Sequence, residues 1–232
     1  MISFIVPAHN EARVIAATLE ALHGAAGALG VRYEIVVVDD ASTDATAGIA
    51  AHHHARVVRV EHRHIAAARN AGAGKATGDR FVFVDADTLI DPSVLHASLD
   101  AMQRGAVGGG AAVRLSGRLS LHERIVVSCA IWLFRATRIA PGCFVFCTRT
   151  AFEAVGGFDE TYYAGEDVAI SRALARHGRF VILRQAVQTS PRKLRTHSLA
   201  EHLRLLARFA WRGRRMLRSR RDLDLWYGKR RD

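Results

Sequence analysis

The sequence predicts an α/β fold, a parallel sheet with helices over both faces. Short, mostly apolar runs alternate with Ala/Leu-rich stretches over residues 1–87, and strands buried on both faces read as nearly continuous apolar runs. Asn10-Glu11, Asp39-Asp40 and the pair Asp85/Asp87 fall just past the carboxyl ends of three of these runs, the edge at which open α/β sheets take ligands. The composition agrees: 232 residues, 50% hydrophobic and 24% charged, suit one domain with a sizeable core and exclude low-complexity disorder or a fibre.

Taken in order, residues 3–6 form a short apolar strand closed by Pro7. Residues 12–29 carry Ile15, Leu19 and Leu22 at helical spacing. Residues 34–38 are a second strand, β-branched and apolar, with Asp39 and Asp40 at its end. A helix over 43–51, a strand over 57–60 and an Ala-rich helix over 65–76 follow, then a fourth strand, 81–84, that runs into Asp85-Ala86-Asp87. Further on, Gly108-Gly109-Gly110 opens a strand to Leu115, and residues 119–138 read as an amphipathic helix. A strand at 144–147, a short helix at 150–155 ended by Gly156-Gly157, a helix at 166–177 and a strand at 180–183 complete the body. Residues 198–218 form a long basic amphipathic helix, and neither an internal repeat nor a Pro/Gly/Ser linker divides the chain.

Charge is concentrated at one end. Of 33 Lys/Arg and 22 Asp/Glu, residues 192–232 hold 14 and 4, so this segment carries +10 of the formal +11 and the first 191 residues only +1. The basic balance thus describes the tail and not the body. Cys129, Cys143 and Cys147 cannot all pair, which favours reduced cytosolic thiols. The apolar start before His9 is too short for a signal peptide, and the longest later apolar stretch, residues 125–134, is half of what a spanning helix needs, about 20 residues. A soluble or membrane-peripheral chain is expected.

Three acidic groups carry the chemistry. Asp85 and Asp87 end a buried strand, where paired carboxylates cost desolvation unless a cation offsets them; their hard oxygens suit Mg²⁺ or Mn²⁺ more than zinc. The same pair also fits an ordinary acidic turn. Ser42, Thr43 and Asp44 read well as a helix start, which leaves Asp39-Asp40 without donors; a carboxylate there can accept from a base N–H or a ribose hydroxyl. Glu166-Asp167 opens a helix, as a cap or as a general base within reach of an acceptor hydroxyl.

Together these residues resemble family 2 glycosyltransferases of the GT-A fold, inverting enzymes that use nucleotide sugars. The resemblance rests on Val6-Pro7-Ala8-His9-Asn10-Glu11, Val38-Asp39-Asp40-Ala41-Ser42-Thr43-Asp44, Ala68-Arg69-Asn70-Ala71-Gly72, Phe83-Val84-Asp85-Ala86-Asp87, Gly156-Gly157-Phe158-Asp159-Glu160 and Gly165-Glu166-Asp167. It spans residues 1 to about 185, and its order and spacing are more specific than any one motif. It implies a Rossmann-like, mixed and mostly parallel sheet over 1–190, with a nucleotide-sugar half (1–104), an acceptor half (105–190) and a basic helical extension (191–232). It places the nucleoside at Pro7, Ala8 and Glu11, with Asp39 accepting from the base and Arg69 on base or phosphate. It makes Asp85, Ala86 and Asp87 the metal and diphosphate motif, Asp87 the more direct ligand, and Asp167 the base, with Glu166 as second choice.

His197, just beyond the body, is a candidate further metal contact or an exposed His before a helix capped by Ser198. Arg192, Lys193 and Arg195 can close over a diphosphate, and Lys75 is either a phosphate contact or a solvated helix-end Lys. His52-His53-His54 reads as helix-end capping, since consecutive helical residues point about 100° apart. In the tail, Leu199, Leu203, Leu206 and Ala210 share one stripe and Arg204, Arg208, Arg212 and Arg215 another, which suits a helix packed on the body or lying on an anionic membrane at the cytoplasmic face. A sugar-1-phosphate nucleotidyltransferase would need a Gly-rich basic loop after the first strand, and residues 7–13 are not one. A nucleic-acid-binding module would have to overcome the acidic strand ends of a neutral body.

Overall fold

The structure is a computed structural model and describes residues 1–115 and 139–189. Its elements are β1 (Ile2–Ala8), α1 (Ile15–Ala28), β2 (Tyr33–Asp40), α2 (Thr46–His52), β3 (Arg56–Val60), α3 (Ile65–Lys75), β4 (Arg80–Val84), β5 (Thr88–Leu89), α4 (Pro92–Gln103), β6 (Gly108–Leu115), β7 (Phe144–Thr148), α5 (Arg149–Ala154), α6 (Glu166–His177) and β8 (Phe180–Thr189). The expected helices over 119–138 and 198–218 lie outside the described residues. No described helix is long and apolar enough to cross a membrane.

The strands form one sheet in the order β3-β2-β1-β4-β7-β6-β8-β5. The first four are parallel neighbours. β7 runs antiparallel to β4 and β6, β8 parallel to β6, and β5 antiparallel to β8. The sheet is therefore the mixed one expected, parallel where Pro7–Glu11, Asp39-Asp40 and Asp85/Asp87 sit and mixed where the later motifs enter.

Side-chain alternation along each strand divides the interior in two. Phe4, Val6, Val37, Val82 and Phe146 pack with Leu19 and Leu22 of α1 and Leu95 of α4 on one face. Ile5, Val36, Val38, Phe81 and Phe83 pack with Phe152, Phe158 and Leu174 on the other. Each large side chain so buried contributes about 1.5–3 kcal/mol. The Ala-rich α3 lies unusually close to the sheet. At Gly72 a Cβ would stand 2.5 Å from Ile5 Cγ2 and 2.7 Å from Val38 Cγ2, so only glycine permits this approach.

Three local differences from the sequence reading have simple causes. α4 was not foreseen, although Asp91 accepts the Val94 amide at 3.0 Å and Pro92 stands at the first helical position. β8 continues past Leu183 because its pairing with β6 resumes at Ala186 after a break in register, with the polar Arg184 and Gln185 in between. α2 begins at Thr46 and not at residue 43, because Ser42 and Thr43 bond to another loop.

Candidate active site

The carboxyl ends of β2, β1 and β4 stand side by side, carrying Asp39, Ala8 and Asp85. Pro7 pairs with Val38 and buried Ala8 with Asp39, which sets the β1 turn beside the Asp39-Asp40 pair. The loops behind them are zipped together. The Asn10 amide donates to Ser42 Oγ at 3.0 Å, the Thr43 amide to Asn10 Oδ1 at 2.8 Å, and the Glu11 amide to Thr46 Oγ1 at 2.9 Å. Asp44 accepts from the amides of Ala12 and Thr46; burial acts against its charge, yet these donors and the Thr46 hydroxyl hold its carboxyl below the ordinary range.

The adjacent aspartates find the donors the sequence left unassigned. Asp40 accepts from the amides of Arg63 at 2.8 Å and His64 at 3.0 Å and so holds the start of α3. Asp39 takes the Ser42 amide at 3.3 Å. Asn10, Ala41 and Arg63 all have φ between 50° and 55°, a left-handed backbone that non-glycine residues adopt at a cost of order 1–3 kcal/mol. All three lie at this one edge, held by the bonds just described.

Arg69 is the centre of the assembly. It is 1% exposed, and its guanidinium donates from Nη1 to Glu166 Oε1 at 2.8 Å and from Nη2 to Asp85 Oδ1 at 2.9 Å and the Gly142 carbonyl at 2.7 Å. Its Cζ lies 5.2 Å from the centre of the Phe158 ring, and Nε has no hydrogen-bond partner. Burial works against the charge, but Asp85, Glu166 and Asp167 outweigh it and hold the guanidinium protonated above its usual value. The next residue, Asn70, donates to the Phe158 carbonyl and Glu160 and accepts the Phe158 amide at 2.9 Å. Gly157, at φ 74°, makes this dock possible, since a Cβ there would lie 2.8 Å from Asn70 Oδ1.

Glu166 and Asp167 form the first turn of α6, behind the left-handed Gly165. Glu166 is buried in the Arg69 ion pair. Asp167 is half-buried, and its Oδ1 accepts the Val168 amide at 2.8 Å. Burial, then the charge of Glu166 beside it, raises its carboxyl to about 7, against the opposing pull of Arg69 and the Val168 amide. That is where a general base working near neutral pH is placed best.

Asp85 and Asp87 flank the buried Ala86, whose carbonyl accepts from Thr18 Oγ1 at 2.7 Å. Asp87 receives the Thr189 hydroxyl at 3.5 Å. Among the described residues no cluster of three or more His, Cys, Asp or Glu is complete enough to cage a metal by itself. Two hard carboxylates fit Mg²⁺ or Mn²⁺, which keep waters and take phosphate oxygens. His197, Arg192, Lys193 and Arg195 lie outside the described residues. Lys75 stands exposed at the far end of α3, where its carbonyl accepts from Arg56.

A family model, glycosyl transferase family 2, matches residues 3–156. The chain belongs to that family. Succinoglycan biosynthesis protein ExoO of Rhizobium meliloti (strain 1021) is 34% identical over 127 residues, 53% of this chain and 35% of the relative. Among solved structures, mannosyltransferase PcManGT from Pyrobaculum calidifontis, in complex with GDP-Man and Mn²⁺, shares the fold with a TM-score of 0.69 at 22% identity, over 89% of this chain and 60% of that one. S. aureus TarS 1–349 in complex with UDP-GlcNAc superposes with a TM-score of 0.64 at 20% identity, over 82% of this chain and 58% of that one. The chain spans about a third of the length of the curated relatives it matches.

Within this family 2 site, sequence reading brought forward the acidic residues and Arg69 but passed over the groups that seat them. His64 caps α3 by accepting the Ala67 amide at Nδ1, and its buried Nε2 has no partner. The His64 ring packs at 4.6 Å on Tyr163, which precedes the Glu166-Asp167 turn. A His standing before an Ala-rich run was a usable capping signal. Gly142 had none, because its partners are distant in the chain.

Proposed function

We propose that the chain transfers a sugar from a nucleoside-diphosphate sugar to an acceptor hydroxyl, with inversion, in cell-envelope, polysaccharide or glycolipid synthesis. The observation that carries this reading is the convergence on Arg69 of Asp85, at the end of β4, and Glu166, beside Asp167, which brings the proposed base to the ligand-binding edge of the sheet. Pro7, Ala8, Glu11 and Asp39 hold the nucleoside, Asp39 accepting from the base. Asp85, Ala86 and Asp87 face the diphosphate. Arg69 serves them by fixing Asp85 and Glu166, the partners of its guanidinium.

In the reaction Asp167 takes the proton of the acceptor hydroxyl as that oxygen bonds to the anomeric carbon. The bond from this carbon to the phosphate oxygen breaks, and its electron pair leaves with the nucleoside diphosphate. One displacement inverts the centre, so one base suffices. Asp87, with Asp85 and His197 as further candidates, would hold Mg²⁺ or Mn²⁺, which when bound supplies positive charge against the leaving diphosphate. The GDP-Man and Mn²⁺ complex of the mannosyltransferase relative supports a divalent cation, and the UDP-GlcNAc complex of TarS supports a nucleotide-sugar donor.

Thermal-shift screening of nucleoside diphosphates with Mn²⁺, then of their sugars, tests the donor assignment. The Asp87→Ala variant should lose metal-dependent release of nucleoside diphosphate, and undiminished turnover would overturn the metal assignment. A cytoplasmic protein held at the inner face of the membrane by residues 199–218 completes the reading. Deletion of residues 199–232 should then abolish sedimentation with anionic liposomes, and unchanged sedimentation would remove the membrane role.

A further inference from the structure

We propose that Gly142 is a positioning residue for the reaction: its missing side chain seats the Asp167 carboxylate against the main chain. This rests on the reading of Asp167 as the base. Gly142 lies in the turn that enters β7, and that turn is pinned at every residue. The Phe144 amide donates to the Pro141 carbonyl and the Asp85 amide to the Cys143 carbonyl, both at 3.1 Å, while Arg69 Nη2 donates to the Gly142 carbonyl at 2.7 Å. The wall cannot retreat without breaking a bond to a residue already in the site.

The reason for glycine here is space. Gly142 is absent from the residues with positive φ, so its backbone conformation is open to alanine. A Cβ at this position would stand 2.9 Å from Asp167 Oδ2, 3.2 Å from its Cγ and 3.3 Å from its Cβ. The first distance is closer than a real Cβ comes to another atom, and the obstacle is a carboxylate that another turn already holds. Oδ1 is bonded to the Val168 amide, so Oδ2 is the oxygen on the Gly142 side. Glycine lets the main chain dry that edge of the carboxylate while leaving its orientation intact. Glu166, Asp85 and Arg69 are the other charged groups acting on it. A methyl group would turn the carboxylate away from them, and a displacement of about 1 Å in a catalytic group can cost about a hundredfold in rate.

The experiment compares the wild type, Gly142→Ala, Asp167→Asn and the double variant. Release of nucleoside diphosphate from GDP-mannose and from UDP-GlcNAc is followed with Mn²⁺ and water as acceptor. Gly142→Ala should lower kcat about 10- to 100-fold, leave the donor KM within about twofold, and melt no earlier than the wild type. In the Asp167→Asn background the same change should have no effect on rate. Wild-type kcat in Gly142→Ala, or an equal loss in both backgrounds, would overturn the proposal. Full activity in Asp167→Asn would instead overturn the base assignment. Carbon-13 titration of the aspartate carboxyls, done on the same proteins without donor, should show the Asp167 midpoint moved by about half a unit or more in Gly142→Ala. An unmoved midpoint counts against the proposal whatever the turnover.

Discussion

Glu34 and Asp167 are carboxylates at opposite edges of one sheet, and their surroundings push them in opposite directions. Glu34, near the start of β2, accepts from the Ser3 hydroxyl at 2.6 Å, the Thr77 hydroxyl at 2.8 Å, and the amides of Thr77 and Gly78. Burial alone would raise its carboxyl, but these donors bring it below the ordinary range. Asp167 has one amide, from Val168, and two other carboxylates nearby, and it rises to about 7. One edge spends its polar groups on closing the sheet. The other keeps a carboxylate underprovided with donors, which costs stability and yields a base.

Substitutions at the two edges should therefore separate activity from stability. The largest effect belongs to Asp167→Asn, which should cut transfer by about 10²–10⁴-fold while sparing donor binding in calorimetry. The same change should stabilise the fold. The raised carboxyl favours the protonated folded state, so the wild type loses stability as pH rises from its unfolded value near 3.8 through about 7, and the variant does not. The gain above pH 7 should be about 1–2 kcal/mol in urea unfolding, discounted from full linkage because the group is half-buried. A variant that is inactive but no more stable at pH 8 than the wild type would break the comparison.

Next comes Arg69→Met, which leaves Glu166 and Asp85 facing each other in the interior and should cost about 3–5 kcal/mol. A lower urea midpoint with an unchanged slope is the expected reading. The smallest effect falls at the quiet edge. Glu34→Gln should cost about 1 kcal/mol at pH 7, leave transfer unchanged and flatten the acid limb of stability. The lowered Glu34 carboxyl contributes fully above its unfolded value of 4.5, and the contribution fades as pH falls through the folded one. Transfer rate in the wild type should rise with pH through about 7 as Asp167 ionises.

Apolar runs made β1, β2 and β4 readable, because strands covered on both faces carry few polar residues to interrupt the pattern. The strand ends were readable because buried carboxylates in a row need a reason. What remained hidden depended on contacts across long stretches of chain. Arg69 meets Glu166 and Gly142 at separations of 97 and 73 residues, and neither meeting leaves a local mark. β5 has two residues and no period to detect. The Asp39-Asp40 pair was ambiguous because the amides that hold Asp40 belong to the loop before α3.

The Arg69–Glu166 ion pair has a consequence for how the chain folds. The strands β1 to β4 and the helix carrying Arg69 are made first, and until α6 emerges from the ribosome and docks, Asp85 is the one carboxylate of the described ion pairs that can meet that guanidinium. A charge left half-compensated in an interior is costly enough to hold the early strands short of their final packing. The last quarter of the body thus completes the first half, and the two should melt together in one cooperative transition.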